Sequence, residues 1–246
     1  MSIGAHSGQY GTRRVVSAGA MYDAVLAEGI IPFFAGPVPG FSIEEMVPRE
    51  HWFTDEDLGP WDWKIDLVQS GEIAYGKFLY GGKAAFATAA VYRNLMNYRR
   101  AQKKYRPAGK RQQAVMKFIR ENGGATVKDL RLLLGENKAA VDSLLQRLQM
   151  DTLVVTGDIE RVYRGPDLHY NGWQKSTFCM PEALFDCSPD GSDDSPESVF
   201  FGISSARRAA PAQVRRAPAE SYAFLADIIR SHHPSVTAAD LAKILG

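Results

Sequence analysis

Seven cationic side chains and no acid lie within the segment NYRRAQKKYRPAGKR, residues 97–111. They are Arg99, Arg100, Lys103, Lys104, Arg106, Lys110 and Arg111. Residues 73–120 hold twelve bases and no acid, whereas residues 42–72 hold nine acids and two bases, so the net charge of +1 hides a strong segregation. Because phosphate binding depends on local charge, the basic stretch predicts a polyanion-binding surface. The alternative is an ordinary solvated helix face.

The segment PWDWKIDLVQSGEIAY offers a second set of chemically useful side chains. Trp61 and Trp63 share one side of an extended chain, and together with Tyr75 they could stack on a nucleobase. Asp62, Lys64 and Asp66 could supply polar or acid–base groups. Asp62 and Asp66 would face one pocket if the segment is helical, but the tryptophans would then diverge. Paired tryptophans also commonly form part of a core.

Other catalytic patterns are missing from the sequence. It contains no recognisable Ser-His-Asp set and no glycine loop that would cradle a phosphate. Cys179, Cys187 and His169 do not have the spacing of zinc ligands. Asp62 and Asp66 are therefore the only catalytic candidates, and we expect neither a metal nor a cofactor.

Residues 111–185 have the pattern of a winged helix-turn-helix. Helices are predicted at about 111–122, after a Thr126 cap, and at about 137–150, and the segment TLVVTGDIERVY that follows has strand composition. A wing is expected from about Leu153 to Arg164, returning along WQKSTF, with Asn171-Gly172 as a turn signal. The third helix of this motif usually enters the major groove, so Lys138, Gln146 and Arg147 are nucleic-acid-binding candidates.

The preceding residues predict an N-terminal α/β extension. A helix should end at Gly29, the proline-rich IIPFFAGPVPGF should be extended with a turn at Pro39-Gly40, and Ser42 should cap a short helical turn. Two aromatic-rich runs around Gly81-Gly82 predict a hairpin. We therefore expect an α+β fold with four parts: residues 14–110, the winged helix 111–185, a flexible linker 186–217 and a C-terminal helical pair 218–246.

The C-terminal pair repeats an earlier pattern. TAADLAKILG at 237–246 matches TVKDLRLLLG at 126–135 in Thr, Asp, Leu, Leu and Gly, and the preceding helices also correspond. This predicts a partial second helix-turn-helix, which would dock on the first domain or on another protein. Chance reuse of a good capping sequence is the alternative.

Several separated segments resemble the bacterial proteins called AlkZ-related, over about residues 20–185. They are EGIIPFF, PGFSIEE, WFTDEDLGPWDWK, AYGKF, NYRR, LLQRLQM and GW followed by PEALF. The resemblance implies a distant relation to tandem winged-helix glycosylases that remove alkylated or crosslinked bases from DNA. Those enzymes position water with a Gln-x-Gln motif, which is absent here because Gln112-Gln113 and Gln146 to Gln149 have other spacings. If this chain were such an enzyme, Trp61 and Trp63 would clamp an extruded base while Asp62 or Asp66 placed the water.

The leading hypothesis is therefore a cytoplasmic protein that binds duplex DNA through a basic surface, with weak sequence preference. Base excision from alkylated DNA is the second hypothesis. The third is a non-catalytic interaction module that binds a protein partner or itself through residues 218–246. The sequence has no run of about eighteen apolar residues and no apolar signal core, so neither a membrane span nor secretion is expected.

Overall fold

The computed structural model describes residues 14–54, 57–102, 109–185 and 216–246, which form a mixed α+β fold. Most of the predicted linker, residues 186–215, lies outside them. The described residues contain ten α-helices, a 3-10 turn at Arg49–His51 and six strands. In chain order these are α1 Ala18–Glu28, β1 Ile30–Pro32, α2 Ile43–Met46, α3 Pro60–Gln69, β2 Ile73–Leu79, β3 Lys83–Thr88, α4 Ala89–Arg100, α5 Lys110–Asn122, β4 Ala125–Thr126, α6 Val127–Leu134, α7 Lys138–Met150, β5 Val155–Arg164, β6 His169–Cys179, α8 Pro181–Phe185, α9 Pro218–His232 and α10 Ala238–Leu245.

One antiparallel sheet runs through the molecule, with strand order β1-β3-β2-β5-β6-β4. Its two halves meet where Tyr75 of β2 pairs with Thr156 of β5. The sheet therefore connects the N-terminal region with the region formed by α5 to β6.

The N-terminal predictions agree with the structure at the level of caps and turns. Helix α1 ends at Gly29, which has a φ of +70°, and the Ser42 side chain accepts a hydrogen bond from the Glu45 amide at 3.2 Å. Gly81 and Gly82 both have positive φ and join β2 to β3, as the Gly-Gly signal predicts. The chain turns at Pro39 and Gly40, also as predicted.

The extended interpretation of WDWKID is wrong, because this segment lies in the helix α3. Pro60 occupies the first helical position, where its fixed φ favours a helix and its missing N–H costs nothing. Pro60, Trp63, Lys64 and Leu67 are buried at helical spacing, so burial follows a period near 3.6 rather than 2.

Residues 110–185 contain the three predicted helices and the long hairpin β5–β6. Thr126 caps α6 and Gly135 ends it, as predicted. The turn prediction at Asn171-Gly172 is wrong, because both residues lie within β6 and the chain reverses at residues 165–168. Pairing extends as far as Arg164 opposite His169, and the positive φ of Gly172 serves a bulge inside the strand.

Two apolar clusters hold most of the core. The smaller is built from α5, α6, α7, β4 and the ends of the hairpin, around Val115, Ile119, Leu130 and Leu145. The larger combines the N-terminal region with the C-terminal helices, and it includes Leu225, Leu241, Ile244 and Leu245. The C-terminal pair therefore packs on the N-terminal region of its own chain.

Polar and aromatic contacts fix this docking to α4. The Asn97 amide donates to Ser221 Oγ at 2.9 Å, and the rings of Tyr98 and Tyr222 lie 5.0 Å apart. None of the helices in the described parts of the chain is long and apolar enough to cross a membrane.

Candidate nucleic-acid interface

Three cations on α5 form a stripe on the exposed side of the helix. Lys110, Lys117 and Arg120 are exposed, and their spacing of seven and three residues places them on one side. Val115 and Ile119 on the opposite side are fully buried. The carboxylate of Glu121 lies 3.8 Å from Lys117 Nζ in an exposed pair. The stripe therefore keeps a cationic character.

The two arginines at the end of α4 do not form such a surface. Arg99 is fully buried, and its guanidinium donates to the carbonyls of Phe78 at 2.7 Å, Met150 at 2.9 Å and Leu245 at 2.7 Å. Arg100 pairs with Glu182 and donates to the Thr152 carbonyl. Burial makes Arg99 unsuitable for the phosphate contact expected of it. Lys103, Lys104 and Arg106 lie outside the described residues.

The cations around α7 are paired with carboxylates. Lys138 pairs with Asp142, Arg147 lies 3.1 Å from Asp151, and Arg111 of α5 pairs with Glu136. These bridges do not join the basic block to the acidic residues 42–72. They leave α7 nearly neutral, with a weak field for phosphate.

The side chain of Gln146 contacts the β2–β3 turn. Its amide donates to the Gly81 carbonyl at 3.2 Å, and a Cβ at Gly82 would lie within 2.2 Å of it. Gln149, one turn further along α7, is buried, and its Oε1 accepts a hydrogen bond from the Lys77 backbone amide at 2.9 Å. This side of α7 therefore packs on the β2–β3 turn, and the Gln146 amide is engaged with that turn.

The far end of the hairpin β5–β6 exposes large apolar side chains that the predictions from sequence did not single out. Trp173 is 54% exposed and Leu168 is 70% exposed. The guanidinium of Arg164 lies 4.5 Å from the Trp173 ring centre. Tyr163 is also exposed, and its ring centre lies 5.6 Å from that of Tyr170. An exposed aromatic surface beside a cation suits nucleic acid, because bases stack on rings and phosphates attract arginine.

β6 carries a bulge beside Trp173, and exposed residues alternate along the strand on both sides of it. Arg161 pairs with Gln174 and Tyr163 with Tyr170, so one residue of β5 opposes three of β6 between these pairs. The bulge is held by α3, since Trp61 Nε1 donates to the Gly172 carbonyl at 3.0 Å. Trp61 therefore fixes the hairpin and does not form a clamp with Trp63.

Asp62 completes this attachment, which we call the hairpin anchor: Trp61, Asp62, Arg161, Tyr170 and Gln174. The Asp62 carboxylate accepts hydrogen bonds from the Tyr170 hydroxyl, from Gln174 Nε2 at 3.0 Å and from Arg161 Nε at 3.3 Å. Burial, and then the hydrogen bond to Asp62, raise the pKa of Tyr170. The carboxylate is thus held by three donors on the two strands of the hairpin.

The other predicted pocket residues are dispersed. Trp63 is buried and its Nε1 donates to Asp57 Oδ2 at 2.7 Å, while Tyr75 packs on Phe86 with ring centres 4.8 Å apart. Asp66 is exposed one turn after Asp62. The structure therefore does not bring the two tryptophans and Tyr75 into one stacking site.

Lys64 is a functional candidate that the sequence interpretation named only among possible polar or acid–base groups. It is 3% exposed, and its amine lies 3.6 Å from the centre of the Trp61 ring and donates to the Trp61 carbonyl. Desolvation is the main cause that lowers the pKa of this amine to about 7; the Asp62 charge opposes the shift, and the Arg161 charge adds to it. The signal was a lysine at a buried position of the helical stripe.

The sequence pattern of the AlkZ-related family matches residues 16–246. The chain belongs to the AlkZ-related family. The match extends past the segments that carried the resemblance and includes the C-terminal sixty residues, which we had expected to lie outside it. No curated protein and no solved structure matches the chain.

Proposed function

We propose that this AlkZ-related protein binds duplex DNA, with α5, α6, α7 and the hairpin β5–β6 acting as a winged helix-turn-helix within residues 111–185. In this proposal the phosphate backbone of the DNA is contacted by Arg164 on the hairpin and by the α5 stripe, which consists of Lys110, Lys117 and Arg120. The family name links the chain to relatives of DNA-repair glycosylases. This link favours DNA over other polyanions.

The observation that carries the proposal is the composition of the hairpin end. Trp173, Tyr163 and Leu168 are each exposed at this end of the hairpin, and large apolar side chains left in water commonly mark a contact surface. The adjacent Arg164 makes nucleic acid a better match than an uncharged protein surface.

The contacts that the polar side chains of α7 already make within the protein account for the weak sequence preference that we propose. Sequence is read by side chains at base edges, whereas phosphate contacts only position the protein. Gln146 is held by the Gly81 carbonyl, and Lys138 and Arg147 face carboxylates of their own helix or its end. Few groups therefore remain on α7 for direct readout.

Charge reversal on the stripe tests this surface. In the triple variant Lys110→Glu, Lys117→Glu and Arg120→Glu, we expect the affinity for a labelled duplex to fall about tenfold or more, with a shallower dependence of log Kd on log salt. The matched control reverses three exposed cations elsewhere, Arg49, Arg230 and Lys243. Equal loss in both variants, or undiminished binding by the stripe variant, would reject the stripe.

Base excision is a second candidate function, and the hairpin anchor is the observation that favours it. A half-buried carboxylate with three donors, next to a surface proposed to contact DNA, is a possible site for orienting water. Incubation with alkylated duplex, followed by an assay for abasic sites, tests it with Asp62→Asn as the comparison. Base release no greater than in a protein-free blank removes this candidate.

A further inference from the structure

The amine of Lys64 is buried without an ion-pair partner in the part of the chain that the structure describes. Asp62 and Asp66 are equally near to it in sequence, but neither carboxylate lies within 4.0 Å of Lys64 Nζ, and Asp62 pairs with Arg161. The recorded hydrogen bond of the amine goes to the Trp61 carbonyl. A buried lysine without a paired charge is uncommon, because desolvation penalises the ammonium form.

The charged and titratable groups around Lys64 give the amine a polar setting that includes one neighbouring cation, Arg161. Asp62 lies on the same helix, Arg161 comes from β5 and Tyr170 from β6, and the last two both point at Asp62. Solvent reaches this cluster, since the side chains of Asp62 and Arg161 are 15% and 34% exposed. Desolvated lysines next to another cation are the type that serves as amine nucleophiles toward carbonyl groups.

We infer that Lys64 is a nucleophile for an aldehyde, and that in DNA this aldehyde is the ring-opened sugar of an abasic site. The second part of this inference rests on the proposed DNA binding. The neutral amine adds to the aldehyde carbon and a C–N bond forms. The carbonyl oxygen then leaves as water with the two amine protons, and an imine remains. The reaction that supplies this substrate is any loss of a base from DNA.

Reductive trapping tests the inference on the full chain. A labelled duplex with one abasic site is incubated with the protein and sodium borohydride, which delivers hydride to the imine carbon and makes the bond permanent. We expect a covalent adduct that maps to Lys64. In Lys64→Met the adduct should fall about tenfold or more. Methionine suits this position because its flexible apolar chain can remain on the Trp61 ring. Lys77→Met, at an exposed lysine, is the matched control and should leave the yield unchanged.

The pH dependence gives a second readout that a structural lysine would not produce. The adduct rate should level off above about pH 7, because the pKa of the Lys64 amine is lowered to about 7. An exposed lysine would instead gain rate up to about pH 10. A rate that keeps rising to that pH would overturn the assignment.

A second probe, a small aldehyde that needs no DNA binding, distinguishes an unreactive Lys64 amine from a protein that does not bind the duplex. A borohydride-reduced glyoxylate adduct on Lys64, in a protein that does not bind the duplex, would keep the amine site and reject its DNA substrate. An undiminished adduct in Lys64→Met would overturn the inference. So would the absence of any Lys64 adduct with either probe when a gel shift shows the abasic duplex bound.

Discussion

The two helix pairs α5–α6 and α9–α10 share a turn sequence but not an environment. Thr126 with Asp129 caps α6, and Thr237 with Asp240 caps α10 through the same reciprocal hydrogen bonds. Leu133 and Ile244 occupy equal positions in the two copies, yet Leu133 is 41% exposed and Ile244 is fully buried. Local sequence therefore sets the cap, whereas the surrounding fold decides which helix face is buried.

Arg99 explains how the C-terminal pair is held. Its guanidinium donates to the Met150 carbonyl at the end of α7 and to the Leu245 carbonyl at the end of α10. The last carbonyls of a helix lack partners within the helix and carry partial negative charge, so one buried cation satisfies two helix ends. The α5–α6 pair has no comparable contact from a buried cation within the described residues.

Removal of this cation should have the largest effect. In Arg99→Ala the buried carbonyls of Phe78, Met150 and Leu245 lose a donor, and we expect the free energy of unfolding to fall by roughly 3–5 kcal/mol. Urea unfolding followed by circular dichroism measures this change. Arg100→Ala is the comparison, because its side chain is 30% exposed and its loss should cost less. A cost below about 1 kcal/mol for Arg99→Ala would mean that this residue does not stabilise the docking of α10.

The cluster of basic residues shows where sequence reasoning succeeded and where it could not. Caps, helix ends and the Gly81-Gly82 hairpin were predictable, because hydrogen bonds within a few residues decide them. Burial of Arg99 was not, because its partners lie on β2, α7 and α10, far away in sequence. The positive charge of residues 97–111 did not indicate that one of the arginines is buried and donates to carbonyls in the core.

The candidate site shows the same limit. Trp61 and Asp62 were singled out for their types, but their partners Gly172, Tyr170 and Gln174 are more than a hundred residues away. Trp173 is exposed beside a bulge in β6, whereas the Asn-Gly signal at that place predicts a turn. Strand pairing over the whole hairpin overrode the local turn preference.

A matched pair of truncations would test the contrast between the copies directly. Ile244→Ala removes a fully buried side chain and should cost about 2–4 kcal/mol of unfolding free energy. Leu133→Ala at the equivalent position should cost less than about 1 kcal/mol, because this side chain is already partly in water. Chemical denaturation of both variants under one condition gives the difference. Similar costs would mean that the exposed side of α6 is covered in solution.

The caps should show the smallest and most equal effects. Thr126→Ala and Thr237→Ala each remove a side-chain acceptor from a helix N-terminus and should cost about 1 kcal/mol. Hydrogen bonds from Thr126 lower the pKa of Asp129, and those from Thr237 lower the pKa of Asp240. A lowered carboxyl pKa stabilises the fold above the ordinary pKa of aspartate and loses that contribution as the pH falls through the lowered value. The difference between wild type and each variant should therefore shrink on acidification, by the same amount for both caps. A difference that shrinks in one copy only would mean that the docking of α10, and not the shared turn sequence, controls its cap.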